Sequence, residues 1–101
     1  MSNLICYDMM KEFVPIQHYL KKRDDNEFTI VSNDRQEIFY LNDTARTFYR
    51  MCNGELTIGS IVNEMEREYL VDEDELVSDL IELIRNMQWQ DIIIMKERVG
   101  I

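Results

Sequence analysis

Hydrophobic and polar residues follow a two-residue period up to residue 41, which is typical of strands. Residues 28–31 and 38–41 are β-branched and aromatic runs, and the polar segment 32–35 separates them. Runs of this kind favour strands, and short polar side chains between them favour a tight turn. The pattern predicts a β-hairpin. It also predicts an earlier strand over residues 16–20, joined to the hairpin by the polar connection 21–27.

After residue 41 the apolar residues recur about every 3.6 positions, which predicts three helices. Asn42 or Asp43 can cap the first helix, and Gly54 stands where a left-handed residue is wanted at its end. Thr57 can cap the second helix. A short apolar run over residues 92–95 follows the third helix and predicts a terminal strand.

The third helix carries the widest apolar face of the chain. Asp72 and Glu75 resemble a capping box at its start. Its apolar residues cover an arc of roughly 160°, wider than the ~100° stripe that one core contact requires. One flank of the arc holds Leu76, Leu80, Leu83 and Met87, and the other holds Val77, Ile81 and Ile84. We therefore expect one flank to pack in the core and the other to line a groove, without an indication of which is which.

The element order defines the expected fold. It is an α+β fold in which a three-stranded antiparallel sheet is followed by three helices and a short C-terminal strand, the order of a winged helix-turn-helix domain. Residues 1–14 fit either a helix or a strand, and that choice stays open. The expected organisation is an N-terminal extension over residues 1–14, one domain over 15–95 and a tail over 96–101.

Composition and charge narrow the class of protein. The chain has 101 residues, 46% of them hydrophobic, and its 20 acidic against 11 basic side chains give a net charge of −9. This excess of acids repels phosphate backbones, so neither nucleic acid nor an anionic membrane is an expected partner. No apolar run approaches the ~20 residues of a membrane span. Asp8, Lys11 and Glu12 interrupt any signal-peptide core, so a cytoplasmic location is expected.

Residues that could carry catalysis or bind metal are sparse. His18 is the only histidine, and Cys6 and Cys52 lie far apart in sequence without a CxxC motif. Neither arrangement is typical of a zinc site, a disulfide framework or an activated nucleophile. We expect no metal, no cofactor and no enzymatic activity.

Residues 38–89 resemble the PqqD family, also called the RiPP precursor peptide recognition element. Residues 41–45, LNDTA, are similar to the family's LN-[ED]-TA segment, and Gly54 with residues 57–62 continues the similarity. Further matching pieces are Tyr69-Leu70-Val71, the acidic residues 72–75, Asp79-Leu80 and Leu83-Ile84. The resemblance covers about residues 15–93. Residues 87–93 depart from the family's Gly-Leu-[IL] ending, which leaves the role of the last strand open.

The resemblance implies a non-catalytic protein that holds the leader of a ribosomally synthesised precursor peptide. It would present that peptide to a modifying enzyme, such as a radical-SAM maturase, a cyclodehydratase-type enzyme or a protease partner, in RiPP or PQQ-type biosynthesis. In the family the leader adds to the third strand and lies against the third helix. An edge strand offers backbone groups to any extended peptide, and apolar pockets select its side chains. The expected peptide-binding residues are Gln36, Glu37, Ile38, Phe39, Tyr40, Leu76, Asp79, Leu80, Leu83 and Met87.

The alternative is a winged-helix transcription regulator or a scaffold protein with the same fold. Its recognition helix would be the third, where Arg85 is the only basic residue. The acidic residues of that helix are Glu73, Asp74, Glu75, Asp79 and Glu82. This charge balance argues against DNA binding.

Overall fold

The computed structural model describes residues 3–25 and 27–97. The helices and strands in these residues follow in the order α1 Asn3–Met10, β1 Val14–Gln17, β2 Lys21–Asp24, β3 Thr29–Ser32, β4 Ile38–Leu41, α2 Asp43–Arg50, α3 Ile58–Tyr69, α4 Glu73–Trp89 and β5 Ile93–Lys96. The α+β class is therefore confirmed. Residues 1–14, for which the sequence left helix and strand open, contribute α1.

The strands form two antiparallel sheets. In the larger sheet β3 lies between β2 and β4, with Ser32 opposite Ile38 and Thr29 opposite Leu41. In the smaller sheet β1 pairs with β5, so that Val14 lies opposite Lys96. The predicted C-terminal strand is confirmed, shifted by one residue from the predicted bounds, and β1 is its partner.

The prediction for the first strand of the larger sheet was wrong. That strand is β2, within the segment predicted to be a polar connection, and residues 18–20 of the predicted strand lie outside β1 and β2. All four residues of β2 are exposed. An edge strand is held to its neighbour by backbone hydrogen bonds, so its side chains need not be apolar. A fully charged strand therefore gives the same sequence pattern as a loop.

The connection between β3 and β4 also differs from the predicted tight turn. It spans residues 33–37, and Gln36 adopts a left-handed backbone with φ 65°. Asn33 is completely buried, and its side-chain oxygen accepts hydrogen bonds from the backbone N–H groups of Arg35 and Glu37. One asparagine thus organises the loop, as side chains of this type do in turns.

Of the N-terminal caps predicted for α2, α3 and α4, the structure confirms two. Asn42 accepts a hydrogen bond from the backbone of Ala45, and Thr57 accepts one from Ser60, so both predicted caps are confirmed. The capping box at α4 was wrong, because the Asp72 side chain makes no capping hydrogen bond. Three acidic residues in the first turn of α4 lie instead at the positive end of the helix dipole.

The end of α2 differs from the prediction as well. The helix ends at Arg50, and its C-cap residue, Met51, has ordinary right-handed backbone angles. Gly54 does adopt a left-handed conformation, with φ 83°, but it lies in the turn beyond the helix, where its N–H donates to the Pro15 carbonyl. The glycine therefore brings the turn after α2 against β1.

The core lies among α2, α3, α4 and the inner face of the larger sheet. Completely or almost completely buried side chains include Val31, Phe48, Ile61, Met65, Ile81 and Ile84. The α1 helix packs on α4, and Tyr7 and Met10 contact the core. Within residues 3–25 and 27–97 no helix is long and apolar enough to cross a bilayer.

Candidate functional site

Among residues 3–25 and 27–97, β4 pairs with β3 alone, so the other edge of β4 is free of a partner strand there. The Asn33 N–H donates to the Glu37 carbonyl, which makes these two residues a hydrogen-bonded pair. Pairs alternate along an antiparallel ladder, so the next pair, Ser32 and Ile38, is not hydrogen-bonded. The backbone N–H and C=O groups of Ile38 and Tyr40 therefore point away from β3, toward the free edge.

The side chains of β4 alternate between the two faces of the sheet. Ile38 is 63% exposed and Tyr40 75% exposed on the outer face. Phe39 is half-buried against the core, opposite Val31, and Leu41 is buried. The free edge thus carries two large apolar side chains in water and no charged side chain.

A groove of about 330 Å³ runs between β4 and α4. All four residues of β4 form one wall. The other walls come from Asn42, Ala45, Leu83, Asn86, Met87 and Gln90. The lining includes apolar residues and three residues with side-chain amides, so an occupant finds both packing surface and hydrogen-bond partners.

Two further recesses continue the groove along α4. The first has a volume of about 240 Å³ and shares Asn42, Ala45 and Leu83 with the space beside β4. The second, of about 100 Å³, shares Thr44 and Asp79 with the first. We call the three adjacent spaces the α4 groove. It extends from β4 to the N-terminal half of α4.

The structure brings four of the five predicted α4 residues to this groove. Leu83 and Met87 line the part beside β4, and Leu76 and Asp79 line the far end. Leu80 is 1% exposed and lies in the core cluster, and it is not among the residues that line the three spaces. On the other flank of α4, Val77, Ile81 and Ile84 are buried in the core. The flank that carries Leu83 borders the groove, but Leu76, Leu80 and Met87 are buried in the core as well, and Leu83 alone of its four apolar residues is half-buried.

Gln36 and Glu37 lie in the loop before β4. Gln36 lines a separate recess on the outer face of the sheet, together with Leu20 and Ile38. The Glu37 carboxylate accepts hydrogen bonds from Asn33 Nδ2 at 2.8 Å and Arg35 Nε at 3.0 Å. These two donors lower the pKa of Glu37. Its side chain therefore stabilises the loop that leads into β4.

Nine residues that line the α4 groove are missing from the predicted site: Leu41, Asn42, Thr44, Ala45, Tyr69, Val71, Glu75, Asn86 and Gln90. Asn42 and Ala45 were assigned to a helix cap and a core face. Asn86 and Gln90 follow Leu83 on the same side of α4, at spacings of three and seven positions. A search for polar as well as apolar residues three, four and seven positions after Leu83 would have identified both.

Charge is distributed unevenly around the site. Glu75 and Asp79 line the far end of the α4 groove, near the acidic first turn of α4. Lys21, Lys22 and Arg23 lie on β2, at the opposite edge of the sheet. A ligand at the far end of the α4 groove therefore meets negative charge. The positive charge of the sheet lies on β2, which β3 separates from β4.

Two comparisons with known proteins gave no match, and one gave a family. The family model described as "Coenzyme PQQ synthesis protein D (PqqD)" matches residues 27–93, which is more than half of the chain. The match includes β3, β4 and all three helices that surround the α4 groove. No curated protein and no solved structure matches the chain.

Proposed function

This chain belongs to the PqqD family, and from that premise we propose that it is a non-catalytic accessory protein of peptide biosynthesis that binds a leader peptide. The ligand is the leader of a ribosomally synthesised precursor, bound as an added strand at β4. The protein then presents the rest of the precursor to a modifying enzyme. A winged helix-turn-helix relationship of α3, α4 and the β3–β4 hairpin is part of the same proposal.

The free edge of β4 is the observation that carries this proposal. Ile38 and Tyr40 turn their backbone N–H and C=O groups toward that edge, and an extended peptide pairs with such groups whatever its sequence. Edge strands that must stay unpaired usually carry charged side chains, proline or a bulge. The β4 sequence, IFYL, has none of these.

Side-chain selectivity comes from the two faces of an added strand. Alternate residues of a strand point to opposite faces. Every second side chain of the leader would enter the α4 groove, against Leu83 and Met87. The intervening side chains would lie beside Ile38 and Tyr40 on the outer face. We infer a leader with apolar residues at every second position over the length of β4.

Charge adds a second element of selectivity. The net charge of −9 attracts cationic peptides over long distances. Glu75 and Asp79 concentrate negative charge at the far end of the α4 groove. We infer that lysine or arginine in the leader follows or precedes its apolar segment and lies at this end.

The experiment begins with the genes beside the one that encodes this chain. Short reading frames there supply candidate precursors, and a neighbouring radical-SAM or cyclodehydratase-type gene supplies the candidate enzyme. Leader peptides are titrated into the protein by calorimetry, each against a scrambled peptide of the same composition. The modifying enzyme is then assayed on the full precursor with and without the protein.

The proposal predicts that one leader binds at least tenfold more tightly than its scrambled control, and that precursor modification requires the protein. Equal affinity for leader and scrambled peptide would mean that binding depends on net charge and composition alone, and would refute specific recognition. Full enzyme activity in the absence of the protein would refute the presentation role.

A further inference from the structure

Three loops meet at the end of the fold beyond the β3–β4 connection. His18 follows β1, Asp34 lies in the loop between β3 and β4, and Asp91 lies between α4 and β5. One imidazole nitrogen and one oxygen from each carboxylate all lie within 4.8 Å of one another. His18 is the only histidine of the chain, and it meets two carboxylates that are remote in sequence.

The backbone that carries these side chains is cross-linked on both sides. The backbone N–H of His18 donates to the Ile92 carbonyl at 2.9 Å, which ties the residue after β1 to the residue after Asp91. Asn33 Nδ2 donates to the Gln90 carbonyl at 2.7 Å, which ties the residue before Asp34 to the residue before Asp91. These two hydrogen bonds hold the three loops together, and neither involves the side chain of His18, Asp34 or Asp91.

The donor set of one imidazole and two carboxylates is suited to a divalent transition metal. Zinc accepts histidine nitrogen and aspartate oxygen at about 2.0–2.2 Å, which places tetrahedral ligand atoms roughly 3.3 Å apart. Carboxylate rotation would need to shorten the present separations by at most about 1.5 Å. Asp34 is exposed and Asp91 is half-buried, so at least one carboxylate has room to rotate.

Arg35 is the cation beside this cluster, and it has a second partner. Its guanidinium lies 3.8 Å from Asp91 Oδ2 but only 3.0 Å from Glu37 Oε1. Arg35 can therefore keep the closer pair with Glu37 while Asp91 turns to a metal ion. The exposed pair with Asp91 contributes little stability, so its loss is a small obstacle.

We propose that His18, Asp34 and Asp91 form a binding site for a divalent transition-metal ion, with Zn²⁺ as the first candidate. Three protein ligands leave one tetrahedral position for water or for a group from a partner. The bound ion would link the loop that leads into β4 to the C-terminal end of α4, where Gln90 lines the α4 groove. The site is independent of the leader-binding proposal, since none of its ligands lines that groove.

The test uses the full chain without a histidine tag, freed of metal by chelation. Zn²⁺ is titrated by calorimetry, and the ring signals of His18 are followed by NMR on the unaltered protein. We expect one Zn²⁺ per chain, a change in the His18 ring signals that saturates at that ratio, and a rise in the unfolding midpoint of a few degrees at excess Zn²⁺. Mg²⁺ at the same concentration should leave the His18 ring unchanged, because it prefers oxygen ligands.

Variants identify the ligands. His18→Gln and Asp91→Asn should each weaken Zn²⁺ binding at least tenfold. Asparagine tolerates the left-handed backbone of Asp91, which has φ 62°, so this variant should keep its fold. The matched control is Asp74→Asn, an exposed carboxylate in the first turn of α4, which should bind Zn²⁺ as the unaltered protein does.

Two results would overturn the proposal. The first is a His18 ring that does not respond to stoichiometric Zn²⁺. The second is Co²⁺ binding with the intense absorption of a thiolate ligand, which would assign the metal to a cysteine. Because the first readout needs no substitution, a poorly folded variant cannot leave the question undecided.

Discussion

The two edge strands of the larger sheet have opposite surface chemistry. The β2 edge, KKRD, is charged at every position, and all four residues are exposed. The β4 edge, IFYL, is uncharged and leaves Ile38 and Tyr40 in water. Both edges carry backbone groups of the same kind. This difference supports the proposed docking at β4, because charged side chains discourage an added strand at β2 and β4 has none.

The two strands also differ in what holds them to the rest of the protein. Asp24 at the end of β2 forms a two-point ion pair with Arg50 of α2, through Nη2 at 2.6 Å and Nε at 3.0 Å. Lys22 donates to Gln17 at 2.7 Å. In contrast, β4 is anchored by packing, with Leu41 buried and Phe39 against the core. Polar contacts hold β2 to the rest of the protein, and apolar contacts hold β4.

The largest expected effect separates core from groove on α4. Ile84→Ala removes a fully buried side chain and should lower the free energy of unfolding by ~2–5 kcal/mol. Leu83→Ala, at a half-buried position of the groove, should lose much less stability but bind the leader several-fold more weakly. Denaturant unfolding and calorimetry on both variants test this. Parallel losses of stability and affinity at both positions would mean that α4 has only a core face.

Proline substitutions at the two edges test the comparison directly. Tyr40→Pro removes an N–H that points to the free edge of β4 and should weaken leader binding about tenfold or more, equivalent to ~1.4 kcal/mol. Lys22→Pro is the matched control, since Lys22 lies at a position of β2 that is likewise not hydrogen-bonded to β3. Both variants should unfold near the midpoint of the unaltered protein. If Lys22→Pro weakens binding as strongly, β4 is not the docking strand.

Acid should weaken the attachment of the β2 edge. Hydrogen bonds from Arg50 lower the pKa of Asp24 from 3.8 to about 2. A lowered pKa stabilises the fold at pH values above about 4, and this contribution is lost as the pH falls from about 4 to about 2. Asp24→Asn should cost about 1 kcal/mol at neutral pH and should abolish this part of the acid sensitivity. Unfolding free energies of both proteins between pH 5 and pH 2 provide the measurement, and an unchanged difference across that range would contradict the assignment.

The smallest expected effect is electrostatic. Asp79→Asn should weaken binding of a cationic leader a few-fold, and most of this loss should disappear at ~0.5 M salt, where screening lengths fall to a few ångströms. Asp74→Asn changes the net charge equally, but Asp74 lines none of the three spaces of the α4 groove, so this variant should have less effect. Stopped-flow association rates at low and high salt distinguish the two variants. Rates that do not depend on salt would mean that the acidic residues affect solubility alone.

Several features of the fold could be predicted from local sequence because local interactions determine them. Asn42 and Thr57 cap their helices through hydrogen bonds that span only three residues. Val31, Phe39 and Leu41 follow the burial of one sheet face, whereas Ile38 and Tyr40 are apolar although they are exposed on the other. The charged strand β2 could not be predicted in the same way, because its pairing with β3 leaves no trace in side-chain hydrophobicity.

The candidate sites required knowledge of tertiary contacts. The resemblance to the family implied Leu83 and Met87, since the apolar arc did not indicate which flank borders a groove. Asn42 and Asn86 line the groove only because β4 lies beside α2 and α4. His18 had no sequence neighbour with which to bind a metal. Its two carboxylate partners approach it through the buried side chain of Asn33, whose partner Gln90 is 57 positions away.

The most direct test of the central claim is the response of individual backbone amides to the leader peptide. In a hydrogen-exchange NMR experiment, the Ile38 and Tyr40 amides should become protected when leader is added, because they then donate to the added strand. The Lys22 and Asp24 amides at the opposite edge should exchange at unchanged rates. Protection at Lys22 and Asp24, or changes confined to residues 7–14 with Ile38 and Tyr40 unaffected, would contradict the assignment of β4 as the docking strand.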